Sequence, residues 1–410
     1  MSLANNIEFL RRLPKLHGFN ALGGLGRSLR PGVRSPLGEI TDFGANPGDL
    51  RMFAYLPENL PPAPALVVVL HGCGQTAAGY DLGAGWSTMA KRYGFALLMP
   101  EQQASNNAQG CFNWFNPEDV ARDSGEAASI RQMIARIAAD AGIDGRRIFV
   151  TGLSAGGAMT TAMLATYPEL FAGGAVIAGL PFGVASNVRE ALNGMYQSPS
   201  RAAVELGDLV RKASYHQGPW PKLSVWHGSA DRTVNPANAN EIVKQWLDVH
   251  GLPAAPMSEG VVDGYPRQIW WNADGETVVE SYTITDMAHG TPLGVADNDE
   301  RYGAQGAFLI EAGISSSYHI ANFFGLTQRI HQPIAATKAA SEAPKQAARS
   351  IPAVPPVTMP ALSTMPDLSK VLWPLTTLNS RPKPARESRR PAIDVGAVIT
   401  RALTAAGLMK

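Results

Sequence analysis

The chain has 410 residues, 45% hydrophobic and 17% charged, with 31 prolines and two cysteines, enough for one large domain with appendages or two domains of roughly 100 to 200 residues. Two cysteines exclude a disulfide-dense scaffold and a four-cysteine zinc site, and no apolar run reaches the roughly 18 to 20 residues of a membrane-spanning helix. The net charge of +1 divides into +5 over residues 1–34, +7 over residues 332–410 and −11 between them, an acidic body with basic ends rather than the basic folded face of a nucleic-acid binder.

Residues 1–34 form a basic arm. Ile7, Phe9, Leu10 and Leu13 lie beside Arg11 and Arg12, but Pro14 interrupts the pattern. A secretory signal needs an apolar stretch of about 7 to 15 residues and a small-residue cleavage site; neither is read here, so the sequence carries no evident export signal.

Over residues 35–331 short apolar runs alternate with helical stretches. The runs are AYL near Tyr55, ALVVVLHG (65–72), FALLMP (95–100), RIFVTG (147–152), GGAVIAG (173–179), LSVWHG (223–228) and VVESYTI (278–284). Helices are expected over 122–141, 155–167 and 236–250. Such alternation predicts βαβ units and a mainly parallel sheet covered on both faces, an α/β fold.

Eleven of the 31 prolines but two of the 41 glycines fall after residue 331. Residues 332–392 read as a disordered Pro/Ala-rich linker. Beyond it, over residues 393–410, Val395, Val398, Ile399, Ala402, Leu403 and Ala406 share one helical face. That helix either docks on its own body or anchors the protein to a partner, a lipid or a polymer surface. A basic tail of this kind could also attach the protein to an anionic surface or granule.

The stretch RIFVTGLSAGGAMTTAML carries the chemistry. An apolar β-branched run ends at Gly152, Ser154 stands between Leu153 and Ala155, and Gly156 and Gly157 open a helical pattern, which is Gly-x-Ser-x-Gly in a strand-turn-helix context. Only small residues fit two before and two after a serine on so tight a turn. Ser154 is therefore the expected nucleophile. A serine hydroxyl needs a positioned base, itself oriented by an acid, and in α/β-hydrolases these follow in the order Ser, Asp or Glu, His, each after a later strand. SADRTV after LSVWHG places Asp231 at one strand end, and TDMAHG after VVESYTI places His289 at another.

Asp286, three residues before His289, competes for the acid role, and His227 reads as a structural histidine satisfied by backbone. His216, His250 and His319 lack the strand-end context. No histidine pair stands at helical spacing beside an acid, so a zinc hydrolase is disfavoured; neither metal nor cofactor is expected. An acyl-transfer site also needs two backbone N–H donors for the oxyanion, one after the nucleophile and one after an early strand. Ala155 supplies the first, and Cys73, in the turn His71 to Gln75, is the candidate for the second.

HGCGQ (71–75), CFNWF (111–115), GLSAGG (152–157), HGSAD (227–231) and the MAHG around His289 together resemble the polyhydroxybutyrate depolymerase-type esterases of the α/β-hydrolase superfamily. The resemblance covers roughly residues 50–330. It implies the α/β-hydrolase fold, Ser154, Asp231 and His289 as catalytic triad, and a serine esterase acting through an acyl-enzyme on poly- or oligo(3-hydroxybutyrate), or on feruloyl or acetyl esters of plant polysaccharides. A catalytically inactive polymer- or granule-binding protein with this fold is the rival reading.

Trp114 and Phe115, with Trp270 and Trp271 in QIWW, either line an apolar acyl cleft or pack in the core. Many members of the family are secreted, which points to an extracellular location against the missing signal; a cytoplasmic enzyme is the alternative. Cys73 and Cys111 each sit in a family-like motif, so a disulfide between them is expected in an oxidising compartment, and two free thiols in a cytoplasmic one.

Overall fold

In the computed structural model the described residues are 34–298 and 300–327. The arm up to residue 33, the Pro/Ala-rich linker and the terminal helix expected from the sequence lie outside them.

Two antiparallel strands, β1 (Gly38–Ile40) and β2 (Arg51–Tyr55), open the domain. Then follow β3 (Leu66–Leu70), α1 (Ala77–Ala84), α2 (Trp86–Tyr93), β4 (Ala96–Glu101), α3 (Pro117–Val120), α4 (Gly125–Ala141), β5 (Ile148–Leu153), α5 (Ala155–Thr166) and β6 (Gly173–Ile177). After α6 (Val188–Gln197) and α7 (Ala203–Lys212) come β7 (Lys222–Gly228), α8 (Ala237–His250) and three further strands, β8 (Ser258–Val262), β9 (Tyr265–Trp271) and β10 (Thr277–Ile284). A small parallel pair, β11 (Thr291–Leu293) and β12 (Leu309–Glu311), precedes α9 (Ser316–Phe323).

The main sheet has ten strands in the order β1-β2-β4-β3-β5-β6-β7-β10-β9-β8. Its six central strands, β4 through β10, run parallel, and antiparallel strands close both edges. A strand buried on both faces must be apolar at every position rather than at alternate ones, and LVVVL of β3 is buried throughout. Leu66, Val68 and Leu70 pack with Ile130, Met133, Met159 and Trp246, from α4, α5 and α8. Val67 and Val69 face the opposite layer, with Tyr80, Trp86, Met89 and Ile320 of α1, α2 and α9. Helix α5 lies buried along its whole length, and a helix so enclosed cannot be amphipathic.

The chain leaves β3 for β4 on one side and returns to β5 on the other. The topological switch point therefore lies between the carboxyl ends of β3 and β5, the place where open α/β sheets bind ligands. The helix expected from residue 122 begins at Gly125 instead, because Asp123 has φ +60° and Ser124 is extended. Helices α1, α2, α3, α6, α7 and α9 were not among the expected elements.

Candidate active site

Strand β5 delivers its last residue, Leu153, into a turn whose apex is Ser154, at φ 58°, ψ −117°. This left-handed backbone is costly for a residue with a Cβ. It is held by Ser154 N–H donating to Ile177 O of β6 at 2.9 Å and by Ala158 N–H donating to Ser154 O at 2.9 Å. The flanking glycines are sterically required. A Cβ on Gly152 would stand 2.3 Å from Gly156 O, and one on Gly156 2.3 Å from Leu70 O and 2.5 Å from His71 O. The start of α5 is thereby pressed against the turn after β3.

Two strands away in the sheet, the loops after β7 and β10 are laced together. Ser229 N–H donates to Ile284 O, Ala230 N–H to Met287 O, and Asp286 N–H to Ser229 Oγ. A Cβ on Gly228 would lie 2.3 Å from Met287 O. This lacing sets His289 Nδ1 2.7 Å from Asp231 Oδ2. The other carboxylate oxygen, Oδ1, accepts from Thr233 N at 2.8 Å and Val234 N at 2.9 Å. Burial favours the neutral form of Asp231, but the hydrogen bonds from His227 and His289 outweigh it and hold the carboxyl well below the ordinary aspartate range. Asp286, the competing acid, is exposed and gives only its backbone N–H to this cluster.

Ser154, Asp231 and His289 thus stand at the carboxyl end of one sheet, all three largely buried. Because His289 Nδ1 faces a carboxylate, the proton resides on Nδ1 and the Nε2 lone pair is free to accept one. No hydrogen-bond partner is found for Ser154 Oγ or His289 Nε2 among the described residues.

The turn after β3 is fixed from four sides. Gly72 O accepts from His71 Nδ1–H at 2.8 Å and from Gln75 N–H at 3.2 Å, while Gly72 N–H donates to Gln75 Oε1 at 2.9 Å. Gly74 N–H donates to Gln109 O at 2.9 Å, and Cys73 is joined to Cys111 by a disulfide. His71 Nε2 accepts from Gln102 N–H at 3.1 Å, so this fully buried imidazole is neutral, and desolvation lowers its pKa to about 4. Gly72 C=O and Cys73 N–H belong to one peptide plane. With the carbonyl engaged twice, the plane is set, and neither Cys73 N–H nor Ala155 N–H, at the first position of α5, has an acceptor among the described residues.

The loop bearing CFNWF rests on Glu126, a fully buried acid on the apolar stripe of α4 that also carries Ile130, Met133 and Ile137. Its oxygens accept from Gln102 Nε2 (2.6 Å), Asn113 Nδ2 (2.8 Å), Asn113 N (2.9 Å) and Asn106 Nδ2 (3.2 Å). Burial, aided by the negative Asp119, pushes its pKa up to about 8. An acid at a helix position reserved for apolar residues was the one sequence signal for this network. On the loop it supports, Trp114, like Val184 and Met195, packs against the buried cluster of Ala158, one turn beyond Ser154, Leu180 and Val234. Phe115 meets the Trp114 ring edge-on at 5.6 Å.

Trp271 is not brought to this site. Strand β9 runs antiparallel to β10 and pairs Trp271 with Thr277, where β10 begins, whereas His289 follows the end of β10 at Ile284. The cleft-lining expectation for Trp271 is therefore overturned by strand direction, and Trp270 is a core residue. His227 needs a second correction. It bonds backbone at Val234 O, as expected, but also reaches Asp231 Oδ2 at 3.1 Å.

The profile described as esterase PHB depolymerase matches residues 53–260. A poly(3-hydroxyalkanoate) depolymerase C of Paucimonas lemoignei is 45% identical over 71% of this chain and 70% of its own length. The chain belongs to the PHB depolymerase-type esterase family. An acetylxylan esterase of Coprinopsis cinerea is 34% identical over 64% of this esterase and 72% of its own length. The solved acetyl xylan esterase of Aspergillus awamori superposes with a TM-score of 0.61 at 25% identity, covering 71% of this esterase and all of that chain. The fold is that of the α/β-hydrolases, and the protein is a carboxylic-ester hydrolase. No helix among the described residues is long and apolar enough to cross a membrane.

Proposed function

We propose that this esterase cleaves poly- or oligo(3-hydroxyalkanoate) esters through an acyl-enzyme on Ser154. The observation that carries the reading is the 2.7 Å contact of His289 Nδ1 with Asp231 Oδ2 at the end of the sheet that presents Ser154. His289 Nε2 takes the Ser154 proton as Oγ bonds to the ester carbonyl carbon. The N–H groups of Cys73 and Ala155 receive the oxyanion. As the tetrahedral centre collapses, the bond to the alcohol oxygen breaks and His289 returns the proton to that oxygen. Water repeats the sequence to release the acid, and Asp231 stabilises the imidazolium at each stage.

The polyester substrate is favoured by the 45% identical depolymerase. Acetyl or feruloyl esters of plant polysaccharides are the second reading, favoured by an acetylxylan esterase at 34% and a feruloyl esterase B of Neurospora crassa at 33% identity. In both readings Trp114 and Phe115 supply apolar surface for the acyl or alcohol portion. The Cys73–Cys111 disulfide supports a protein working outside the reducing cytoplasm. The basic segment after residue 331 is proposed to attach the enzyme to a granule or polymer surface, and its deletion should reduce that attachment while sparing hydrolysis of soluble esters.

Turnover of 3-hydroxybutyrate oligomers, feruloyl esters and acetylated xylan, compared side by side, tests the assignment. A preference for the oligomers is expected. A preference for acetylated xylan or feruloyl esters would replace the polyester, and equal, poor turnover of all three would defeat both substrate readings.

A further inference from the structure

The catalytic-site acid has two imidazole neighbours. His289 Nδ1 and His227 Nε2 approach the same atom, Asp231 Oδ2, at 2.7 and 3.1 Å. His227 Nε2 also lies 3.0 Å from Val234 O. Both of its neighbours are acceptors, so Nε2 carries a proton. On the far side of the ring, Nδ1 is buried with no partner among the described residues. His227 is 3% exposed and occupies the next-to-last position of β7, four residues before Asp231. Leaving a buried ring nitrogen without a partner is unfavourable, and simple filling of the core does not need an imidazole there.

We propose that His227 is a positioning residue of the hydrolytic reaction: its Nε2–H occupies the second acceptor direction of Asp231 Oδ2, fixes the carboxylate plane toward His289, and moderates the charge that His289 feels.

The inference rests on the assignment of Asp231 and His289 as acid and base. The carboxylate is then held at four points, Oδ1 by the Thr233 and Val234 amides and Oδ2 by two imidazoles. Loss of His227 removes one point and leaves Oδ2 free to turn toward water. It also concentrates negative charge on the oxygen that faces His289, which strengthens that bond and favours the imidazolium. The titratable side chains acting on Asp231 are these two histidines; on the adjoining loops stand Arg232 and Asp286, and at the end of β5, Ser154. An altered pH profile therefore separates positioning from packing.

The test uses the full chain with a short activated ester. His227→Leu should lower kcat by about 10²-fold, the scale of a small misplacement of a catalytic group, with KM little changed and the acid limb of the pH–rate profile moved to higher pH. His227→Gln, whose Nε2 can still donate to Oδ2, should recover most of kcat and return the limb toward its original position. In the wild type, two low-field imidazole N–H protons should cross-relax, because both point at one oxygen.

A folded His227→Leu variant with wild-type kcat and pH profile overturns the inference, as does the absence of the proton pair in the wild type, a readout that needs no variant to fold. Asp231→Asn is run in parallel. If that variant keeps full activity, the underlying assignment has failed; if it is inactive while the His227 variants behave as wild type, only the role of His227 has failed.

Discussion

Gly156 places its bare α-carbon where a Cβ would stand 2.3 Å from the carbonyl oxygen of Leu70. This contact brings the first turn of α5, which begins at Ala155, against the end of β3 and the turn that carries Cys73. Gly156→Ala must force the two backbones apart, because both atoms in conflict belong to regular elements. Overpacking of this kind costs about 1 to 3 kcal/mol or more. Thermal unfolding should show a lowered Tm, and kcat should fall with it; an unchanged Tm would contradict the tight approach.

Asp231→Asn should lower kcat by about 10⁴-fold with a modest effect on KM, since the amide can hold His289 in the wrong tautomer. It also bears on acid stability. The folded carboxyl lies well below its ordinary value, so its contribution is fully present above about pH 4 and is lost as pH falls below it. Unfolding curves between pH 2 and 5 should be less steeply pH-dependent in the variant than in the wild type.

The main sheet was legible because two-faced burial makes strands such as LVVVL apolar at every position and IFVTGL nearly so, with Thr151 the exception, and because the tight turn at Ser154 demands Gly152 and Gly156. The approach of His289 to Asp231 agrees with the chain order of the candidate acid and base. What sequence could not supply was direction and partnership. QIWW reads the same on a parallel or an antiparallel strand, and antiparallel pairing carries Trp271 to the far end of the sheet. HGSAD gives no sign that His227 turns toward Asp231 four residues on, which depends on how the loop after β7 folds back. Helices α6 and α7, between β6 and β7, are amphipathic but short, and they bury only Ala191 and Gly194, and Leu206, Gly207 and Val210, too few and too small to stand out as apolar runs.

Two buried groups set an upper and a lower edge to stability. Glu126 titrates near 8 in the folded protein against about 4.3 in an unfolded chain, so the folded state keeps a proton that the unfolded state releases, and stability declines as pH rises to about 8. His71, lowered to about 4, makes the opposite demand, and stability falls as pH drops from about 6.5 to 4. Denaturant unfolding of the wild type should therefore weaken between pH 6.5 and 8, and Glu126→Gln should flatten that slope while lowering stability at pH 6.5. A wild type equally stable at both values would refute the buried-acid account.

Reduction of Cys73–Cys111 opens a loop spanning 38 positions, for which chain entropy alone gives about 4 kcal/mol. Because Cys73 N–H is a proposed oxyanion donor, reduction should also lower kcat. Titration of the denatured, unreduced protein should find no free thiol, and two after reduction. Two free thiols without reduction would remove both the bridge and the support it lends to an extracellular location.

The central claim, an activated Ser154, is tested most directly by trapping the acyl-enzyme. Treatment with a fluorophosphonate, or rapid quenching with an activated ester, followed by peptide mass spectrometry, should place one adduct on Ser154, with none in Ser154→Ala and greatly slowed labelling in His289→Ala. An adduct on another residue, or undiminished hydrolysis by a folded Ser154→Ala variant, would contradict the account.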